Sequence, residues 1–284
     1  MQLYNFNSGP AILPQEVLDQ AAAAIHNFNG TGLSILEIGH RTEHFVAVVE
    51  EAKQIVKRLM GLGDEYEVLF LQGGATMQFM QVPMNLLDEN GLAAICDNGV
   101  WGHKAVKEAQ LFGPVKVVSD TTAEKHTLIN KALDLPAGTS YLHITTNNTV
   151  EGTQWHQYPQ VGVPLIGDMS SDIFCRPTPF HQFDLIYAGA QKNMGAAGVT
   201  MVVVKQSILG KTNRPIPAIL DYEKHIDAGS LMNTPPVFAI YVSLLTLRWI
   251  EKEGGLVEME KRNTAKANLL YHTIDTSEHF NCPI

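Results

Sequence analysis

A lysine among small residues is the first place where this sequence could do chemistry. An apolar run ending at Tyr187 continues as Ala-Gly-Ala-Gln-Lys-Asn-Met, which places Lys192 directly after a predicted strand. Lysine is seldom buried unless its amine has a partner or a covalent role, and a desolvated amine is easier to deprotonate. Lys192 could therefore form a carbon–nitrogen double bond with a carbonyl group. The segment is also compatible with a lysine that simply extends from a loop into solvent.

An aspartate ends another apolar strand upstream, in the run Ile-Gly-Asp-Met-Ser-Ser that contains Asp168 and Ser170. A carboxylate in this position could keep a pyridine nitrogen protonated, which a pyridoxal cofactor requires to act as an electron sink. Aspartate at a strand end is also a common turn residue or helix cap. Its spacing from Lys192 favours the cofactor interpretation.

A glycine pair joins a predicted strand at 68–71 to a predicted helix at 77–87, in the run Gln-Gly-Gly-Ala-Thr that contains Ala75 and Thr76. Small residues allow backbone N–H groups at a helix N-terminus to approach a phosphate, and the helix dipole favours the anion. The run matches neither the dinucleotide-binding glycine fingerprint nor the Walker A loop. Glycine pairs also occur in ordinary turns, so alone this run is weak evidence.

Two further groups of candidates follow predicted strands. Trp101 could stack on a pyridine ring, although tryptophan is more often a core residue. After the strand at 141–145, the polar residues Asn147, Asn148, Thr149 and Glu151 offer a hydroxyl or amide that could reach a ring oxygen, although loops often contain such residues. All five places fall at the same end of successive strands, where open α/β sheets bind their ligands.

The elements that must position these residues alternate along the chain. Apolar runs predict buried strands at 68–71, 93–96, 115–118, 141–145, 165–166, 185–187 and 199–204. Helices are predicted at 45–60, 77–87, 102–111, 237–252 and 257–274. This alternation is typical of an α/β protein whose largely parallel sheet is covered on both faces.

Composition limits the class of protein. The chain has 284 residues with 45% hydrophobic content and a net charge of -9, which argues against a nucleic-acid partner and favours small-molecule partners. Three cysteines far apart, at 96, 175 and 282, and a start without a secretory signal predict a reducing cytoplasm. The longest apolar stretch, at 238–250, is shorter than the roughly 20 residues of a membrane span, so no membrane span is expected.

A zinc site is a rival hypothesis, because His40, Glu43 and His44 form the pattern H-x-x-E-H found in inverzincin metallopeptidases. That motif requires both histidines on one helical face. Thr42 is a plausible N-cap of the following helix, which would leave His40 outside the first turn and spoil the ligand geometry.

Four motifs in order make the chain similar to the class V aminotransferases of fold type I, and specifically to the phosphoserine aminotransferase family. They are Ser8-Gly9-Pro10, 37–41, 188–193 and Asn233-Thr234-Pro235-Pro236. The resemblance implies a large domain at 1–254, with a mainly parallel seven-stranded sheet flanked by helices. It further implies the start of a small C-terminal domain at 255–284, incomplete by comparison with the family.

The resemblance also implies a role for each matching residue. Lys192 would bind pyridoxal 5'-phosphate covalently and act as the catalytic residue, Asp168 would pair with the pyridine nitrogen, Trp101 would stack on the ring, and Thr149 would bind its phenolic oxygen. The phosphate and its surroundings would be held by Ala75, Thr76, Ser170 and Gln191, and by Asn233 and Thr234 of a neighbouring subunit. His40 and Arg41 would bind the substrate's phosphate or carboxylate.

The activity implied is amino transfer from L-glutamate to 3-phosphohydroxypyruvate in a homodimer with shared active sites. It would give O-phospho-L-serine and 2-oxoglutarate in serine biosynthesis, with a related substrate of pyridoxine biosynthesis as a possible second one. Two alternatives remain open at this point. One is another class V enzyme, of the alanine–glyoxylate aminotransferase or cysteine desulfurase type, and the other is a non-catalytic form of the same fold.

Overall fold

A seven-stranded sheet forms the centre of the fold in the computed structural model, which describes residues 3–280 and 282. The strands are β1 (Tyr66–Leu71), β2 (Leu92–Asp97), β3 (Val115–Asp120), β4 (Thr139–Thr145), β5 (Leu165–Asp168), β6 (Leu185–Gly189) and β7 (Thr200–Lys205). Their order across the sheet is β1-β7-β6-β5-β4-β2-β3. The seven predicted strands are therefore confirmed, with small differences at their ends.

One of these strands, β7, runs against the others. It pairs antiparallel with both β1 and β6, whereas β2, β3, β4, β5 and β6 pair in parallel. Only residues 190–199 connect β6 to β7, and a parallel return would need a crossover of about a dozen residues or more. The apolar pattern that predicted β7 carries no information about its direction, because a strand buried on both faces has the same pattern either way.

Helices cover both faces of the sheet. They are α1 (Gln15–His26), α2 (Glu43–Met60), α3 (Gly74–Leu86), α4 (Val100–Ala109), α5 (Tyr222–Asp227), α6 (Val237–Lys252) and α7 (Gly255–Asp275). Buried side chains of α1, α2 and α6 pack in a core on one face. Those of α3, α4 and α5 pack in a second core on the other face. The expected architecture of a sheet covered on both faces is confirmed.

The helix boundaries show what the apolar pattern can locate. Helix α6 has the predicted bounds. Helix α3 begins earlier than predicted because its first residues, Gly74, Ala75 and Thr76, are small and show no apolar periodicity, and α4 begins two residues earlier than predicted, at Val100. Thr42 is the N-cap residue of α2, but its side chain makes no capping bond and its hydroxyl donates to the Gly39 carbonyl at 2.8 Å. Helices α1 and α5 were not predicted.

The C-terminal helix α7 begins at Gly255 and buries only Leu256 and Met259. The domain boundary expected after residue 254 stays a prediction, and residues 281, 283 and 284 of the expected small domain lie outside the described residues. Over 3–280 and 282, the structure contains no helix with the length and apolar character needed to cross a bilayer.

Candidate active site

A cavity of about 130 Å³, partly open to solvent, lies at the edge of the sheet where the parallel strands end. It is lined by Gly74, Ala75, Thr76, Trp101, Thr145, Asn147, Thr149, Asp168, Ser170, Ser171, Gln191 and Lys192. Eight of the predicted site residues are among them. The structure thus brings these eight together, as expected from their shared position after strand ends, while their individual roles stay predictions.

Lys192 lies in the turn that follows β6, three residues beyond its end, and close packing on both sides sets its position. The Ala190 carbonyl accepts hydrogen bonds from the backbone N–H groups of Met194 and Gly195, which closes the turn containing the lysine. On the other side, a Cβ atom at Gly9 would lie 3.1 Å from Cγ of Lys192, so glycine allows the N-terminal segment to approach the lysine stem. Nζ of Lys192 is thereby directed into the cavity.

The amine of Lys192 is easier to deprotonate than a lysine in water. Its pKa is lowered because burial disfavours the charged form, and the negative charges of Asp168 and Asp172 oppose this only in part. Nζ donates a hydrogen bond to Oγ1 of Thr149 at 2.6 Å. A neutral amine held in a fixed direction is suited to attack a carbonyl carbon and to accept a proton.

Asp168 ends β5 and is 5% exposed. Burial raises the pKa of its carboxyl group, whereas hydrogen bonding from Ser170 and the charge of Lys192 lower it. The backbone N–H of Ser170 donates to Oδ1 at 3.0 Å. A buried carboxylate of this kind needs a cationic partner, and a protonated pyridine nitrogen would provide one.

The sequence analysis missed two buried side chains near Asp168, those of Tyr187 and His143. Tyr187 is the register partner of Asp168 on the neighbouring strand, and its hydroxyl lies 2.8 Å from Nε2 of His143. The two rings are stacked, and burial lowers the pKa of His143 to about 4, so this histidine is neutral at physiological pH. Hydrogen bonding from Tyr187 also lowers the pKa of Asp168. In the sequence, both residues look like ordinary positions of buried strands.

The N-terminus of α3 faces the same cavity. Gly73 and Gly74 have φ values of 93° and 67°, a left-handed conformation that favours glycine, and no side chain caps this helix. A Cβ atom at Gly73 would lie 2.6 Å from Cβ of Met77. The first N–H groups of α3, including those of Ala75 and Thr76, are therefore available to an anion in the cavity.

Two cavity-lining polar atoms are buried and have no hydrogen-bond partner among the described residues: Oγ1 of Thr145 and Nε1 of Trp101. Thr145 was not predicted as a site residue, although it ends β4 and is the register partner of Asp168. Buried polar atoms normally have partners. A bound molecule with polar groups around an aromatic ring would supply them. Together with the α3 terminus, Asp168 and Lys192, they fit pyridoxal phosphate, which combines a phosphate, a pyridine nitrogen and an aldehyde.

The remaining predicted residues, His40, Arg41, Asn233 and Thr234, do not line this cavity. Three of them lie near one another on a different part of the surface. Arg41 donates to the Met232 carbonyl at 3.3 Å, and Gln72 donates to the Thr234 carbonyl at 2.7 Å while accepting from the Asn233 amide at 3.4 Å. We call this set of residues, 41, 72 and 232–234, the Arg41 face.

The zinc hypothesis requires His40 and His44 on one helical face, but α2 begins at Glu43 and His40 lies in the preceding turn, as the sequence analysis expected. Throughout the described ranges, 3–280 and 282, no group of three or more His, Cys, Asp or Glu side chains is placed to hold a metal ion. The geometry therefore gives the H-x-x-E-H pattern no support as a metal site.

Comparisons with known proteins agree with this site. The family model described as aminotransferase class-V matches residues 3–283. A phosphoserine aminotransferase of Flavobacterium johnsoniae is 54% identical over 281 residues, which are 99% of this chain and 79% of that protein. The described helices and strands also resemble solved structures of the same class of enzyme.

Two of these structures are particularly informative. The phosphoserine aminotransferase of Bacillus circulans subsp. alkalophilus has a TM-score of 0.94 and 44% identity, covering 97% of this chain and 77% of that one. The enzyme of Trichomonas vaginalis, solved with pyridoxal phosphate bound, has a TM-score of 0.94 and 32% identity, covering 100% of this chain and 85% of that one. These likenesses confirm the expected fold of type I. The chain belongs to the class V aminotransferases and, within them, to the phosphoserine aminotransferase family.

Proposed function

We propose that this chain is a pyridoxal-phosphate-dependent transaminase that moves the amino group of L-glutamate to 3-phosphohydroxypyruvate, forming O-phospho-L-serine and 2-oxoglutarate. One observation carries the chemistry. Lys192 and Asp168 line the same cavity, with the amine made less basic and the carboxyl group more basic by burial. The identity of 54% to a phosphoserine aminotransferase supports the choice of substrates.

Different residues of the cavity would hold different parts of the cofactor. Asp168 would pair with the pyridine nitrogen, the indole of Trp101 would stack on the ring, and Thr149 would bind the phenolic oxygen. Ala75 and Thr76 at the α3 terminus, with Ser170 and Gln191, would hold the phosphate. When bound, pyridoxal phosphate supplies an electron sink that stabilises negative charge at the substrate carbon.

Lys192 is the residue proposed to transfer the proton of the substrate α-carbon. Because its pKa is lowered, the amine loses its proton more easily than a lysine in water, and Nζ would take the proton from the substrate α-carbon and deliver it to the cofactor carbon. Thr149 holds Nζ at 2.6 Å and so fixes the direction of approach. Burial raises the pKa of Asp168, and hydrogen bonding from Ser170 and Tyr187 opposes this by stabilising the ionised form.

Recognition of the substrate's phosphate is assigned to His40 and Arg41 of a second copy of the chain, in a homodimer. The support is that the residues of the Arg41 face do not line the chain's own cavity and that Arg41 contacts the segment of Asn233 and Thr234, which the family resemblance assigns to a neighbouring subunit's site. The planar guanidinium of Arg41 suits bidentate binding of a phosphate or carboxylate. Asn233 and Thr234, on the same face, would reach the partner's cofactor phosphate. This part of the proposal depends on the family resemblance.

The small domain at 255–284 and a cytoplasmic location also remain proposals. Helix α7 begins at the proposed boundary, and the wide spacing of the three cysteines is typical of a reducing compartment.

The test is a turnover assay with L-glutamate and 3-phosphohydroxypyruvate, in which 2-oxoglutarate should form in proportion to O-phospho-L-serine. Pyruvate and glyoxylate serve as acceptors without phosphate. We expect the phosphorylated acceptor to be strongly preferred. A preference for glyoxylate would instead indicate the alanine–glyoxylate type, and no 2-oxoglutarate with any acceptor would contradict the proposal.

A further inference from the structure

A glutamate outside the cavity connects two of the elements that line it. Oε1 of Glu151 accepts a hydrogen bond from the backbone N–H of Val100 at 2.8 Å. Val100 is the first residue of α4, and the N-cap residue Gly99 provides no side-chain cap. The first N–H groups of a helix need acceptors from outside the helix, and a carboxylate there also interacts favourably with the helix dipole. Glu151 therefore caps α4 from a loop 51 positions further along the chain.

The loop that contains Glu151 is closed by its own hydrogen bonds. The backbone N–H of Asn148 donates to the Thr153 carbonyl at 2.8 Å, and that of Gly152 donates to the Asn148 carbonyl at 2.8 Å. Thr149, whose hydroxyl accepts the bond from Lys192, lies within this closed loop two residues before Glu151. A displacement of Glu151 would therefore displace the Thr149 hydroxyl as well.

On the other side of the contact, Val100 directly precedes Trp101, which lines the cavity. Gly99 makes room for the approach: a Cβ atom at this position would lie 2.6 Å from Oε2 of Glu151 and 2.9 Å from Oδ1 of Asn148. The φ value of Gly99 is 163°, which is extended backbone, so any larger residue would disturb the contact by crowding alone. The single carboxylate thus sets the distance between the loop with Thr149 and the helix with Trp101.

We propose that Glu151 is a positioning residue of the active site. Glu151 does not line the cavity. It acts through Thr149 and Trp101, which do, by fixing the position of the Thr149 hydroxyl relative to the Trp101 ring. This inference rests on the proposed function for its catalytic consequence. The structural part of the proposal is the hydrogen bond from the Val100 N–H to Glu151, which joins the loop to α4. This bond is present in the protein without cofactor and can be tested there.

The variant Glu151→Ala removes the acceptor, whereas Glu151→Gln keeps an oxygen in the same place. Val150→Ala is the matched control, because Val150 lies in the same loop and is 69% exposed. In the cofactor-free protein, we expect the Val100 amide of Glu151→Ala to exchange hydrogen about tenfold faster than in the wild type. Glu151→Gln and Val150→Ala should exchange at the wild-type rate.

In the cofactor-loaded protein, Glu151→Ala should lower kcat about tenfold with little change in KM for the phosphorylated acceptor, since it misplaces groups at the reacting centre. The midpoint of the pH titration of the visible absorbance band should also shift, because Thr149 no longer holds the lysine nitrogen in place. A loss of stability alone would lower the melting temperature without moving this midpoint. Glu151→Gln should restore most of kcat and the midpoint.

Gly99→Ala disturbs the same contact by changing the residue next to Val100 and leaving Glu151 in place. It therefore remains a test even if Glu151→Ala does not fold. Its Cβ would crowd Oε2, so we expect the same direction of shift in the band midpoint, and in the double variant the two effects should be less than additive. Wild-type exchange at Val100 and an unchanged midpoint in both Glu151→Ala and Gly99→Ala would overturn the proposal. If the wild type transferred no amino group, the proposed function would fail. Hydrogen exchange at Val100 would still show whether Glu151 joins the loop to α4.

Discussion

The cavity around Lys192 and the Arg41 face differ in how the chain positions their residues. Each cavity residue ends or follows a strand at the same edge of the sheet. The Arg41 face is built from loops, with its arginine and amides held by a few hydrogen bonds at the surface. The difference shows that residues positioned by strands come together in one cavity, whereas the residues of the Arg41 face, proposed to serve another copy, are positioned by loops.

The largest effect should come from Asp168 in the cavity. We expect Asp168→Asn to lower kcat by about 10³-fold, because the amide cannot stabilise a protonated pyridine nitrogen by charge. Asp120→Asn is a suitable control, since Asp120 ends strand β3 of the same sheet but does not line the cavity. Steady-state turnover of both variants would test this, and equal rates would remove Asp168 from the mechanism.

A smaller effect is expected on the Arg41 face. Arg41→Ala should raise KM for 3-phosphohydroxypyruvate by about 50-fold with a modest change in kcat, since a charge-assisted bond to the phosphate is lost. Arg41→Lys should be intermediate, because it keeps the charge without the bidentate geometry.

The separation of the two regions can be tested by mixing. Arg41→Ala and Lys192→Ala chains, unfolded together and refolded, should regain activity if each site uses Lys192 from one copy and Arg41 from the other. A mixture no more active than the sum of the separate variants would contradict the shared site.

The strands themselves predicted most of the cavity. Because side chains after successive parallel strands meet at one edge, the positions of Lys192, Asp168, Thr149 and Trp101 followed from the apolar pattern alone. Thr145 and the pair of Tyr187 and His143 could not be found in this way, since in a strand buried on both faces the pattern does not show which side chains point toward the site. The direction of β7 was hidden for the same reason.

The position of the Arg41 face could not be derived from periodicity either. Loops follow no repeating pattern, and the hydrogen bond between Arg41 and the Met232 carbonyl joins residues 191 positions apart. Only the family resemblance suggested that two residues of this face, Asn233 and Thr234, serve a neighbouring subunit. Similarly, Glu151 was noted as one polar residue in a cluster, but its role as the cap of α4 depends on a contact between two distant segments.

The buried histidine near the cavity, His143, predicts that the free energy of unfolding depends on pH in a way that an exposed histidine should not reproduce. The pKa of His143 falls from 6.5 to about 4 on burial, so the unfolded chain binds more protons between these values. The stability contributed by the neutral ring is present above pH 6.5 and is lost as the pH falls toward 4. From pH 7 to pH 5 this amounts to about 2 kcal/mol.

His143→Gln should lack this contribution, so its free energy of unfolding should fall about 2 kcal/mol less than that of the wild type between pH 7 and pH 5. Chemical denaturation at the two pH values measures the difference. The exposed His156 provides the control, and His156→Gln should follow the wild type. Identical slopes for His143→Gln and the wild type would contradict the assignment of a buried neutral ring.

The smallest effect is expected at Thr149. Thr149→Val removes the hydroxyl 2.6 Å from Nζ of Lys192 but keeps the shape of the side chain. The loss of one hydrogen bond should lower kcat by about tenfold and shift the pH profile of turnover, because the lysine amine is no longer held. Thr149→Ser should remain close to the wild type. If Thr149→Val kept the wild-type profile, the contact would have no part in catalysis.

The central claim is the covalent attachment of the cofactor to Lys192, and reduction with borohydride tests it most directly. The purified protein, supplied with pyridoxal phosphate, is reduced, digested and mapped by mass spectrometry, with Lys192→Ala and the exposed Lys116→Ala treated in parallel. We expect one phosphopyridoxyl group on Lys192 in the wild type and in Lys116→Ala, and none in the peptide with Lys192→Ala. Attachment at a different lysine, or a colourless protein without any adduct, would contradict the account.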